Sequence, residues 1–182
     1  MKIRWMVVAG MFAAHLAAPL ANAQGVPTAP TLPLHDDWQW PAHTHAWTLG
    51  VLPGVATIND DTGFSLQFAA AYKMIDKGFA PDISNQVFFE LQGGPFTTSR
   101  GSAFLYSAHL RWDFRLNGDW TFYALGGLGG NKTSAALGGD FQLLPRFGAG
   151  AMLSLDRQTH LPLDFRAELS RELVAFGVQF RL

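Results

Sequence analysis

The stretch FLYSAHLRWDFRL, from Phe104 to Leu116, decides the fold. Its alternate residues are apolar: Phe104, Tyr106, Ala108, Leu110, Trp112, Phe114 and Leu116. Between them stand Ser107, His109, Arg111, Asp113 and Arg115, with Leu105 the single exception. A period of two is the signature of a strand with one apolar and one polar face. A half-buried strand of a soluble sandwich shows this alternation. So does the wall of a membrane barrel, with lipid outside and a polar lumen inside. The rest of the chain chooses between them.

The N-terminus speaks for export. Lys2 and Arg4 precede an apolar run from Trp5 to about Leu20, and Ala21-Asn22-Ala23 closes it with an A-x-A cleavage pattern. This is the layout of a bacterial secretory signal peptide over residues 1–23. Residues 24–45 read as a linker, because Pro27, Pro30, Pro33 and Pro41 each fix φ and remove a donor. After the leader, no segment approaches the roughly 18 continuous apolar residues of a spanning helix. A closed barrel is then the one structure that could satisfy its backbone within lipid.

Residues 46–182 form a succession of alternating segments separated by turn signals. They run Trp47–Ile58, Phe64–Met74, Val87–Gly93, Phe104–Leu116, Trp120 to about Gly130, Leu143–Leu155, Leu161–Leu169 and Val174–Leu182. Asn59-Asp60-Asp61-Thr62-Gly63 reads as a turn, Gly94–Ser102 as a loop, and Asn117-Gly118-Asp119 as a hairpin signal. About eight strands of roughly 9–13 residues exceed the globular norm and suit a tilted membrane crossing. The expected fold is an all-β, antiparallel, up-and-down transmembrane barrel.

Composition supports this. Of 182 residues, 48% are hydrophobic and 15% charged, the latter well below a typical soluble domain. The formal net charge of -1 excludes a nucleic-acid footprint. The absence of cysteine excludes disulfides, thiolate catalysis and Cys-based zinc sites.

Up-and-down connectivity assigns the aromatic residues to two girdles. One rim would hold Trp47, Trp112, Phe114, Trp120, Phe122, Phe165 and Phe180; the other would hold Phe64, Phe96, Phe104 and Tyr106. The polar parity collects Lys73, Glu90, His109, Arg111, Asp113, Arg115, Arg146, Asp164, Arg166, Glu168 and Arg181, with signs nearly balanced. Eight strands enclose only enough room for side chains, so these charges are expected to pair across strands and plug the lumen.

The leader, the alternating strands and the terminal segment Val174-Ala-Phe-Gly-Val-Gln-Phe-Arg-Leu182 resemble the small outer-membrane barrels of the OmpA-like, eight-stranded superfamily. In that family the last strand usually ends in an aromatic; here the last residue is Leu182, and Phe180 stands two before it. The resemblance implies a monomer in the bacterial outer membrane. Its partners would be outer-membrane lipids, lipopolysaccharide and, during insertion, the barrel-assembly machinery. It implies a structural, envelope or surface-interaction role. Some barrels of this kind modify lipid A as acyl hydrolases or acyltransferases, and a narrow pore is a third role.

The residues do not complete those alternatives. Glu168-Leu169-Ser170 has no neighbouring His, and His160 lies in a turn. Trp38–Trp47 resembles the pre-barrel segment of palmitoyltransferase barrels, but Thr97-Thr98-Ser99-Arg100 lacks the acid of their catalytic pair. Ser107, His109 and Asp113 share a strand face, yet residues two apart on it are ~6.6 Å apart, so they form no triad. His35, Asp36, Asp37, His43 and His45 lie in the linker with no fixed geometry for a metal. Gly126-Gly127-Leu128-Gly129-Gly130 lacks the Lys-Ser/Thr of a phosphate loop. No cofactor is expected.

Overall fold

The computed structural model describes residues 45–79, 84–116, 119–155 and 162–182. The leader, almost all of the linker, and His35, Asp36, Asp37, His43 and His160 lie outside the described residues.

Eight strands run in order: β1 Trp47–Ile58, β2 Asp61–Ile75, β3 Asn85–Thr97, β4 Ser102–Arg115, β5 Trp120–Thr133, β6 Phe141–Ser154, β7 Leu163–Ser170 and β8 Leu173–Arg181. Each pairs antiparallel with the next, and β8 pairs with β1 to close the barrel. Closure removes the sheet edges that would otherwise expose backbone donors to lipid.

The register fixes the shape. A ladder leaving β4 at Ser102 passes Thr97, Phe64, Val55, Val174, Leu169, Ala149 and Ala124. It returns to β4 at Trp112, ten residues further along. With about 3.3 Å per residue and about 4.8 Å between strands, that shear tilts the strands by about 41°. One residue then climbs about 2.5 Å along the barrel axis, and one step sideways about 3.1 Å. On this scale Trp47, Tyr72, Trp112, Phe114, Trp120, Phe122, Phe165 and Phe180 fall within about 7 Å of one another, and Phe64 and Phe104 lie about 20 Å above Trp112. All of these side chains project outward, and they bracket an apolar band of the height expected of a membrane barrel. Trp47 packs on Tyr72, Trp112 on Phe114, and Tyr106 stacks on Phe141.

Several boundaries differ from the sequence reading. The first turn is Asn59-Asp60 alone, with φ of 49° and 67°, the two positive values of a type I′ hairpin. Asp61 to Gly63 already belong to β2, paired with Ile58 to Ala56. Gly94 to Thr97 are strand, not loop. A side chain at Gly94 would meet Leu66 O at 1.8 Å, so glycine lets β2 approach, and Pro95 faces outward opposite Phe104. Phe96 therefore turns into the lumen and is fully buried, not part of a girdle. Val87 faces outward by parity but is buried between Ile75 and Trp112. Beside it, Gly78 N donates to Asn85 O at 2.9 Å, and Phe79 meets Trp112 edge-on.

The lumen is filled in two layers. Near the β1–β2 and β3–β4 turns an apolar cluster of Leu52, Ala56, Ile58, Phe96, Ala103, Leu105, Leu173 and Ala175 packs together, with Ser65, Gln67, Asn131 and Thr133 buried at the same level. Leu137, on a short 3-10 helix (Ala135–Leu137) between β5 and β6, joins this cluster. The middle of the lumen is polar and charged. The charges were expected to pair across strands and plug the lumen; they occupy its middle, and the apolar cluster adjoins them because Leu52, Ala56 and Ile58 make β1 apolar on its inner face too.

Candidate functional site

The charged layer is organised around Glu90. It sits on β3, fully buried, and faces arginines from β4 and β7. Arg166 donates to it through two nitrogens, Nη2 to Oε1 at 2.7 Å and Nη1 to Oε2 at 2.9 Å. Arg111 Nη1 donates to Glu90 Oε2 as well. His109 Nε2 stands 3.2 Å from Glu90 Oε1, and Gln92 Nε2 donates to the same oxygen at 2.8 Å. A planar guanidinium matches a carboxylate fork, which favours arginine over lysine at such a hub.

The network extends along and across strands. Arg111 binds Asp113 on its own strand in a second bidentate pair, at 2.8 and 3.1 Å. Asp113 was expected to pair across strands; it does so along β4, because residues two apart share a face and the long guanidinium spans the gap. Arg166 Nη2 also donates to Glu168 Oε2 at 2.6 Å, and Arg146 Nη2 to Glu168 Oε1 at 2.8 Å. Nearer the chain termini, Arg181 lies 3.4 Å from Asp164 and donates to Ser154 Oγ at 3.2 Å. Lys73 pairs with Asp76 at 2.5 Å at the rim, and Arg115 is half-buried at the inner end of β4.

Uncharged groups complete the set, and the sequence reading missed them. Gln179 Oε1 accepts from Arg111 at 2.9 Å and from Arg166 at 3.1 Å. Tyr123 OH accepts from Arg166 Nε at 3.0 Å and donates to Ala167 O at 3.0 Å. The Arg166 guanidinium lies 4.9 Å from the Tyr123 ring centre, and that of Arg111 4.7 Å from Phe88. Gln92 and Gln179 share the parity of the neighbouring charges, so that alternation was the signal that could have found them.

Such a layer can hold strands together and block passage. Ser107 Oγ accepts from Arg146 Nη1 at 3.0 Å, while His109 faces Glu90, so the two are engaged separately. Among the described residues no group of three or more His, Cys, Asp or Glu is placed to hold a metal.

No protein-family model matches the chain, and neither does any curated protein. Solved structures do resemble it. A de novo designed transmembrane β-barrel superposes with a TM-score of 0.52 at 16% identity, over 75% of this chain and 94% of the design. The Yersinia pestis outer-membrane protein Ail gives 0.47 at 14% identity, over 76% of this chain and 99% of Ail. Neisserial surface protein A gives 0.45 at 15%, over 75% and 96%. At such identities the likeness concerns the fold alone. That fold is a closed, all-antiparallel, eight-stranded barrel, similar to the designed transmembrane β-barrel.

Proposed function

We propose that this chain is a non-conducting structural barrel of the bacterial outer membrane, an envelope component rather than a pore. The occluded lumen carries the reading. The Glu90–Arg111–Arg166–Glu168 core spans the lumen with ion pairs, and an apolar cluster packs above it. An ion would have to displace these bidentate pairs, and that step has a desolvation cost of several kcal/mol.

The turns at the end remote from Trp47 and Leu182 favour a structural role over surface interaction through loops. They are Asn59–Asp60, Thr98–Gly101, Ser134–Asp140 and Arg171–Glu172, all short. Conductance tests the proposal. Purified full chain in planar bilayers should give no single-channel steps; reproducible steps would overturn it. Location is read separately, by outer-membrane fractionation and heat-modifiable gel mobility, and a soluble chain with no such shift would refute the membrane assignment.

A further inference from the structure

The barrel wall has a gap on one side. β7 and β8 end at the Arg171–Glu172 turn, while β6 continues upward. The β6–β7 register begins at Gly148, so among the described residues no strand pairs with Phe141 to Phe147 on that side. The turn itself leans toward β1, where Thr57 N donates to Glu172 O at 2.9 Å. A small cleft of about 30 Å³, open to the side, is left between the turn and β6. Leu105, Leu144, Arg146 and Leu173 line it. Leu144 faces inward by parity yet is 38% exposed, because the missing wall would have covered it.

Its depth matters. On the axial scale above, the Arg171–Glu172 turn lies about 15 Å above Trp112, and the upper aromatic rim about 20 Å. The cleft therefore opens sideways just below the rim, where lipid headgroups meet acyl chains. Unpaired backbone groups of β6 at that depth require a polar partner. The floor is apolar, the exposed Arg171 stands at the mouth with half-buried Glu172 beside it, and the half-buried Arg146, which donates to Glu168, lines it behind.

We propose that the cleft is a docking site for one anionic phospholipid of the adjoining leaflet. Its phosphate and ester groups meet Arg171 and the β6 edge, and an acyl chain lies over Leu144. An amphiphile answers the polar edge and the apolar floor at once, and lipid is the medium in which the cleft stands. A second copy is a poor occupant. Two parallel-axis barrels facing each other with strands tilted about 41° would cross at about 80°, too steep for β-pairing.

The test uses full chain in micelles supplemented with equal phosphatidylcholine and phosphatidylglycerol, with retained lipid read by native mass spectrometry. One phosphatidylglycerol should stay bound. Arg171→Ala should weaken retention about fivefold, the effect expected of one interfacial cation. Leu144→Trp, which fills the floor, should also weaken it, whereas Lys77→Ala at the opposite rim should leave it unchanged. A photoreactive residue at Leu144 should add a lipid-sized mass in cells. Equal retention of both lipids that is indifferent to Arg171→Ala, or a crosslinked polypeptide instead of lipid, would overturn the proposal. The heat-modifiable shift reports barrel insertion independently, so a failure of folding is distinguishable from a failure of binding.

Discussion

Replacing Glu90 by Gln preserves the size of the side chain and removes one buried charge. The charged layer holds four carboxylates, Glu90, Asp113, Asp164 and Glu168, against the four arginines Arg111, Arg146, Arg166 and Arg181. In Glu90→Gln four arginines face three carboxylates. Arg111 keeps Asp113, but Arg146 and Arg166 must share Glu168. Removing one partner from a buried pair costs about 3–5 kcal/mol. The hub position places Glu90→Gln within that range. Adding Arg166→Gln restores the balance and leaves three separate pairs, Arg111–Asp113, Arg146–Glu168 and Arg181–Asp164. The double variant should be more stable than Glu90→Gln alone, with a coupling of about 1 kcal/mol or more. Urea unfolding of the barrel in vesicles, followed by tryptophan fluorescence, measures both. If the double variant is less stable than Glu90→Gln, charge balance does not govern the lumen and the reasoning fails.

Three further outcomes follow from the same geometry. Leu110 is half-exposed on the outward face of β4, so Leu110→Arg should lose about 2–4 kcal/mol or block insertion, as read by folding yield into vesicles; a wild-type midpoint would contradict the assigned face. Asp113→Ala removes both acceptors of the Arg111 fork along β4, and should destabilise by about 3 kcal/mol, or less where Glu90 compensates; an unchanged urea midpoint would mean that the fork carries no stability. A side chain at Gly150 would come within 2.3 Å of the Tyr123 ring, so Gly150→Ala should cost about 1–3 kcal/mol by overpacking and should be relieved in part by Tyr123→Phe, which a double-mutant cycle would show.

The fold was legible wherever one strand face was polar. β2, β4 and β8 alternate cleanly, and in β4 the faces read from Phe104 to Arg115 are those observed. Legibility failed where glycine and proline, ordinarily punctuation, lie inside a strand. Gly94 and Pro95 hid the end of β3, and with it the inward turn of Phe96. Phe141 was missed because β6 begins two residues before its first aliphatic pair, so its stacking on Tyr106 was invisible. Parity grouped the charged positions on one strand face, but it could not name their partners. Parity says which side chains share the lumen, whereas the Glu90–Arg166 pair joins β3 to β7 across it. The apolar layer escaped for a related reason. A strand apolar on both faces, such as β1, gives no alternation from which to read a lumen.

That contrast between the two layers bears on why charges are used at all. Buried ion pairs exchanged for well-packed apolar groups often leave stability unchanged or raise it, so the charged layer is not needed to fill space; Leu52, Phe96 and Leu173 fill the upper lumen without it. Its consequence lies in the sequence. If His109, Arg111, Asp113 and Arg115 were apolar, Phe104 to Leu116 would become an almost unbroken hydrophobic segment, shorter than the roughly 18 residues of a spanning helix but without the alternation that marks a strand. β1 can be apolar on both faces because Gly50, Pro53 and Gly54 interrupt any helix there. β4 has no glycine or proline between Ser102 and Arg115, so polar residues on alternate positions keep it a strand. Placing a glycine and a proline within β4 should then let it tolerate leucine at His109, Arg111 and Asp113 in export, while the leucine changes alone should lower the amount that reaches the outer membrane. Equal export of both variants, measured by fractionation, would refute it.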